Sequence, residues 1–369
     1  NLVKSGWLEI ETAPTTSFDV VPRYVDDTRK NADTVQLSAE GILGNYVAGR
    51  PFPQEPDSND AQAGVKLMWN FQRGLFSGNS FEIAPFYWTY RDARKDKEER
   101  TLELLFRAMV WQHRSLSEPY GSVGENPSNA FRSLYLGVTA PFDVANTQLL
   151  IVRHEDDSER DDAWLYLGFQ RRVRRLAAGQ TTDAFLGTDI MIEDFEGYNG
   201  RLSDYDWKYV GTEWLLVSYY NHNELATFSS RPEKDPDNFK MVTFGGKGGC
   251  FPQVKYQLRK TYKIIGTPKD PNHPIGQRVM YQDVQTGELP RTLIFDRAGK
   301  LWKWFNIGFA DPEHHLPVNK GAGVPLFDSA TFLDVQAEHC TVLQFKTRSP
   351  ANEITPSEFA VQYLRKSAH

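Results

Sequence analysis

Along most of this chain apolar and polar positions alternate with a period of two, the repeat of an extended strand rather than of a helix. Ala163 to Phe169 shows it plainly. Trp164 and Tyr166 fall on one face, and Leu165, Leu167 and Phe169 on the other, so both faces need cover. In Thr101 to His113 one face is dry, with Leu102, Leu104, Phe106, Ala108 and Val110. The other, with Glu103, Leu105, Arg107, Met109 and Trp111, is mixed. The same reading predicts strands at Ser80 to Arg91, Ser133 to Val138, Thr147 to Val152, Trp207 to Val210 and Trp214 to Tyr220. It predicts further strands at Val254 to Thr267, Arg278 to Gln285, Pro290 to Asp296 and Lys300 to Ile307, and one or two closing strands within Ala330 to Thr347. In the Lys300 strand, Trp302, Trp304 and Asn306 face one way and Leu301, Phe305 and Ile307 the other.

Helical spacing is confined to two places. Ala61 to Arg73 sets Val65, Met68, Trp69 and Gln72 on one side. Near the end, Thr355 is an N-cap, Pro356 a first-turn residue and Glu358 the third member of a capping box, with Phe359, Tyr363 and Leu364 as the packed side. The pattern therefore predicts a mainly β chain with minor helix: a large curved antiparallel sheet or half-open β-barrel, its concave face covered by short helices. Residues 1–60 read as an irregular strap punctuated by Pro14, Pro22, Pro51, Pro53 and Pro56. Residues 61–350 read as a single β domain, and 351–369 as a C-terminal helix. Gly245 to Cys250 reads as a flexible link, Asp92 to Arg100 as a solvated hairpin tip or connection, and Asn221 to Asn238 as a long polar loop.

Composition narrows the function. Aromatic residues make up 13% of the chain, enough to need extended apolar surfaces to pack on. The net charge is −6, and the one basic cluster is Arg171, Arg172, Arg174 and Arg175, which argues against a nucleic-acid partner. No apolar run approaches the ~18 residues that a membrane-spanning helix needs. Asn1 does not read as a natural start, and the expectation is a processed chain from which a signal peptide has been removed.

Motifs for catalysis are not found. There is no Gly-x-Ser-x-Gly elbow, the Gly-Lys-Gly at 246–248 lacks phosphate-loop spacing, and no cofactor is expected. His154-Glu155-Asp156-Asp157 and the 311–315 run ending in His314-His315 lack the spacing of a metal site and read as solvated loops, so no metal is expected. Carboxylates at Asp189, Glu193 and Asp194 follow the Arg171, Arg172, Arg174 cluster. They predict an ion-paired clamp tying an acidic segment to the sheet. Cys250 and Cys340 are either two reduced thiols or one disulfide.

Several stretches resemble a known group: Gln170 to Arg175, Asp183 to Phe195, the Phe195-Glu196-Gly197-Tyr198-Asn199-Gly200 turn, and Asp204 to Gly211. To these add Asn45 to Pro53 with Met68-Trp69-Asn70-Phe71, and Arg278 to Asp283. Together they look like the LolA/LolB-like, outer-membrane lipoprotein-sorting-like proteins, and more narrowly like domain-of-unknown-function family 1329. The resemblance implies a periplasmic location, an oxidising setting in which Cys250 and Cys340 can pair, and a cavity for acyl chains or lipids. It also implies company with outer-membrane or inner-membrane transport proteins. The expected function is a carrier of a hydrophobic ligand shuttling between envelope membranes, with Trp69, Phe106, Trp164, Tyr166, Phe185, Trp302 and Trp304 as lining or lid residues, each of which also suits a core. The alternative is an envelope adaptor that works with an outer-membrane channel or an efflux-type pump and carries no lipid.

Overall fold

The structure, a computed structural model, describes residues 2–126, 128–177, 182–229 and 235–366. The alternating segments form one sheet of fifteen strands. Thirteen are long: β1 (Ser80–Asp92), β2 (Lys97–Val110), β3 (Ala130–Ala140), β4 (Gln148–His154), β5 (Asp162–Leu167), β6 (Arg172–Arg175), β7 (Tyr205–Val217), β8 (Lys255–Pro268), β9 (Ile275–Asp283), β10 (Arg291–Asp296), β11 (Leu301–Ala310), β12 (Leu326–Asp334) and β13 (His339–Arg348). Two short strands complete it. Glu11–Thr12 runs parallel to β8 and Tyr219–Tyr220 parallel to β11, so an otherwise antiparallel sheet is mixed.

Connectivity explains what the sheet can do. The spatial order is β7-β8-β9-β10-β11-β12-β13-β1-β2-β3-β4-β5-β6. It is an up-and-down meander cut between β6 and β7, with β13 and β1 paired in the middle. The sheet does not close into a barrel: β6 and β7, consecutive in the chain, are its two ends. The chain between them must therefore travel from one end to the other, and its described part, residues 182–204, lies across one face. There it forms short 3-10 turns at Phe185–Gly187, Ile192–Gly197 and Leu202–Asp204. We call this crossing segment the plug.

The main core lies between that inner face and its cover. Phe86, Trp88, Phe106, Phe305, Ile307 and Phe345 of the sheet pack with Phe185, Ile190, Ile192 and Phe195 of the plug, and with Leu67, Met68, Trp69 and Phe71 of the helix α1 (Ala63–Gln72). The outer face has its own layers. Met109, Trp111, Tyr135, Leu150 and Tyr166 lie under the C-terminal turn, where Phe359 and Leu364 are buried. Trp304, Leu333 and Val342 pack round Cys250 and Cys340, which form a disulfide with Cα atoms 6.0 Å apart.

Several expectations change in detail. The two strands read at 207–220 are one strand to Val217 with a bulge after Tyr209, where Gly211 takes φ +139°; Tyr219–Tyr220 then pairs elsewhere. Phe169 leaves the sheet for a turn and is 76% exposed. The glycines of 245–249 form no loose link: Gly248 packs against the Ala93 backbone, leaving no room for a Cβ. The strap is not wholly irregular, for Pro22–Asn31 is helical; its single buried apolar side chain, Tyr24, gave the spacing little to show. Near the C-terminus the capping box at Thr355 forms, but it opens a short 3-10 turn, Pro356–Phe359, and a four-residue helix, Tyr363–Lys366; residues 367–369 lie outside the described residues. Residues 230–234 of the long polar loop also lie outside them.

Candidate functional site

The inner face of the unclosed sheet is the candidate site. It is largely apolar because most of the long strands turn alternate hydrophobic residues that way, and Arg132, Arg278, Lys303 and Thr341 interrupt it where they meet the plug. A void of about 40 Å³ remains between sheet and plug, lined by Phe86, Trp88, Phe106, Phe345, Ile190 and Phe195 among others. Ligand pockets begin at roughly 300 Å³ and a water occupies about 30 Å³. In this state the bowl is thus filled by the protein's own side chains. Trp88 is the hub, edge-to-face with both Phe185 (6.0 Å) and Phe195 (5.9 Å) of the plug.

Polar latches hold the plug down, and the central one surrounds Arg278 of β9. Its side chain is fully buried; Nη1 lies 2.8 Å from Asp194 Oδ1 and Nη2 3.4 Å from Glu193 Oε1. Arg278 Nε donates to the Tyr205 hydroxyl at 3.2 Å, and that hydroxyl donates to Glu193 Oε1 at 2.5 Å. His273 completes the group. Its Nδ1 accepts from the Ile275 amide, which leaves the proton on Nε2, 3.1 Å from Glu193 Oε2. Burial alone would raise the Glu193 pKa. The Arg278 charge, helped by the His273 and Tyr205 hydrogen bonds, outweighs it and holds Glu193 below its ordinary value.

Two further latches flank it. Arg132 of β3 grips Glu196 in a fork of two bonds, both 2.6 Å. At the other side Asp189 accepts from Thr341 Oγ1 (2.8 Å) and lies 2.8 Å from His339 Nδ1, while Lys303 donates to the Asp189 carbonyl at 2.6 Å. The Asp189 hydrogen bond and charge, against burial, push His339 up to about 9. Among the described residues, the backbone–backbone bonds of 185–199 stay within the plug: Phe185 to Ile190, Asp194 to Met191, Asn199 to Glu193.

The acidic half of the expected clamp, Asp189, Glu193 and Asp194, thus sits on the plug, but its basic half was misassigned. Arg171, Arg172 and Arg174 are exposed at the β6 end of the sheet. Arg174 bonds Gln170 at 2.7 Å, and none of the three reaches the plug carboxylates. Register decides this, since β6 is an edge strand and the buried cations come from β9 and β3, distant in sequence. Of the expected lining residues, Phe106 borders the void and Phe185 belongs to the plug above it. Trp69 is a core residue whose Nε1 donates to the Gly41 carbonyl, and Trp302 flanks the main core with Nε1 bonded to Asp334. Trp164, Tyr166 and Trp304 lie on the outer face and cannot reach the void. Period-two alternation separates two faces but does not say which is inner. The reading missed Phe86 and Trp88, although both lie in a predicted strand.

The side chain of His315, read as part of a solvated loop, is buried. It and His222 flank the buried carboxylate of Asp328, at 3.2 and 2.8 Å. Their ligand-type atoms lie within 4.8 Å of one another. Asn319 donates to His315 Nδ1, so His315 Nε2 points its proton at Asp328, and the three groups are satisfied as a hydrogen-bonded set joining two loops to β12. A wider cleft of about 540 Å³ lies between the strap and α1, lined by Leu37, Phe52, Asp60 and Lys66 among others; its walls are half polar and it is separate from the core void.

An uncharacterised protein of Pseudomonas aeruginosa is 25% identical over 297 residues, 77% of this chain, and the chain spans 58% of that relative's length. A crystal structure from Vibrio parahaemolyticus, described as an outer membrane lipoprotein-sorting protein domain, is similar with a TM-score of 0.55 and 15% identity, over 83% of this chain and 100% of that one. A DUF1329 family protein from Desulfovibrio piger is similar with a TM-score of 0.54 and 14% identity, over 82% and 98%. At such identities the likeness concerns the fold. The model of the family described as protein of unknown function DUF1329 matches residues 1–365, and on that match this chain belongs to the DUF1329 family.

Proposed function

We propose that this protein is a periplasmic carrier for an apolar ligand of the lipid or acyl-chain class, and that the state described is its closed form. One observation carries the reading. The inner face of the unclosed sheet is largely apolar, broken by the few polar side chains that form the latches, and its cover is tied down through those side chains instead of strand pairing. Such a cover can leave without breaking the sheet. A ligand would replace Phe185, Ile190 and Phe195 against Trp88, Phe86 and Phe106, gaining about 25 cal/mol per Å² of apolar surface removed from water. The lipoprotein-sorting description of a structural neighbour supports the cargo class, and the Cys250–Cys340 disulfide supports an oxidising compartment.

A closed majority state lowers apparent affinity by the fraction open. Fluorescent fatty-acid binding, measured on the native chain and on the latch variant Arg132→Gln/Glu196→Gln, tests this. The expected result is weak binding by the native chain and at least tenfold tighter binding by the variant. If neither chain binds a fatty acid, a phospholipid or a general hydrophobic probe, the carrier reading is wrong. The filled bowl itself favours a second reading, an envelope adaptor without cargo. That reading predicts lipid-free protein by native mass spectrometry and one stoichiometric membrane-protein partner.

A further inference from the structure

Two large apolar side chains stand exposed at the sheet's β3–β6 end, both phenylalanines on hairpin turns. Phe142, in the turn between β3 and β4, is 98% exposed; Phe169, in the turn between β5 and β6, is 76% exposed. The strand directions put both turns at one end of the sheet, and the turns touch. A Cβ added to Gly168 would come within 2.8 Å of the Ala145 carbonyl oxygen and 2.9 Å of Asn146 Cβ. One exposed apolar side chain is ordinary on a protein surface; two on adjoining turn tips form a prong.

Charge surrounds that prong. Residues 168–176 contain Arg171, Arg172, Arg174 and Arg175 and no carboxylate, in a chain of net charge −6. All four arginines are exposed. Asp143, the one acidic residue of the 141–147 turn, is neutralised by Arg100, whose Nη2 lies 2.6 Å away. Arg175 pairs with Asp162; among the described residues Arg171 and Arg172 make no ion pair. Arginines on an edge strand also prevent strand-to-strand aggregation. That role accounts for the charges but leaves two bare phenylalanines unexplained.

We propose that this corner docks on an anionic phospholipid bilayer, with Phe142 and Phe169 entering the headgroup–acyl boundary and Arg171, Arg172 and Arg174 meeting the lipid phosphates. Apolar insertion combined with basic attraction is what interfacial binding requires, and neither part suffices alone. The proposal goes beyond the carrier reading and does not depend on it, because docking needs no cargo. A bilayer is favoured over an acidic protein partner because the phenylalanines project from convex turn tips, which suit a deformable surface and not a preformed pocket.

Vesicle co-sedimentation of the full chain tests it, with phosphatidylglycerol:phosphatidylcholine vesicles at 3:7 beside pure phosphatidylcholine. The native chain should pellet with the anionic vesicles and be released as salt rises. Phe142→Ser/Phe169→Ser should lower the lipid partition at least tenfold, and Arg172→Glu/Arg174→Glu should abolish the preference for phosphatidylglycerol. Both should melt at the native temperature, since all four side chains are exposed. Failure of the native chain to bind anionic vesicles overturns the proposal, as does unchanged binding by the phenylalanine variant. Because fatty-acid uptake is measured separately without vesicles, either idea can fail alone.

Discussion

Replacing Arg278 with Met removes a wholly buried guanidinium from between two buried carboxylates. Glu193 keeps its bonds from Tyr205 and His273, and Asp194 keeps the Met191 amide on Oδ2 at 3.0 Å, but their shared countercharge is gone. Breaking one member of a buried ion pair costs about 3–5 kcal/mol, because the remaining charge stays desolvated. We expect Arg278→Met to lower unfolding free energy by about 4 kcal/mol at pH 7, read by urea titration with tryptophan fluorescence. The triple change Arg278→Met/Glu193→Gln/Asp194→Asn removes charge from all three partners and should recover most of that loss. There is a pH signature too. Glu193 has a depressed pKa in the native state, so its contribution is present above the unfolded carboxylate range and fades as the pH falls. Without Arg278 it takes up a proton more readily, and the variant's deficit should shrink between pH 7 and pH 5. The exposed Arg172→Ala/Arg174→Ala pair should cost no more than about 0.5 kcal/mol. A loss below about 1 kcal/mol in Arg278→Met, or an equal loss in the Arg172/Arg174 variant, refutes the account of how the plug is held.

Burial pushes the Glu288 carboxyl up to about 8, with nearby Glu196 adding to the rise. A carboxyl whose native pKa exceeds its unfolded value contributes stability that is full below about pH 4.3 and is lost progressively as the pH climbs to about 8. Glu288→Gln should therefore be more stable than the native chain by about 3 kcal/mol at pH 7 and flatter between pH 5 and pH 8; parallel profiles would contradict this. His339, raised to about 9 mainly by its bond to Asp189, stabilises fully below about pH 6.5 and loses that contribution as pH rises through about 9. It is partly exposed, so the effect is set at about 1 kcal/mol, and His339→Gln should abolish that part of the decline in melting temperature between pH 6.5 and 9.5. The Cys250–Cys340 bond closes a loop of sequence separation 90; by chain entropy, Cys250→Ala/Cys340→Ala should lose about 4–5 kcal/mol, checked by denaturant titration.

By itself the sequence determined most of the long strands, the capping box at Thr355 and the mainly β class, but not the edge strand Arg172–Arg175. These follow from period-two alternation and local turn chemistry, which act over a few residues. It also marked Glu193 and Asp194 as ion-pair partners, since they follow a cluster of arginines and a carboxylate taken out of water needs a countercharge. Tertiary structure decided the rest. The Arg278 latch joins residues some 85 positions apart, and the nearer arginines at 171–175 made a plausible but wrong partner. Tyr166 and Phe106 look alike in an alternating pattern, and only sheet order puts one beneath the C-terminal turn and the other beneath the plug. Whether the bowl is open or filled was beyond the sequence for the same reason. Alternation says which side chains share a face, whereas cavity volume depends on what the chain between β6 and β7 lays across it.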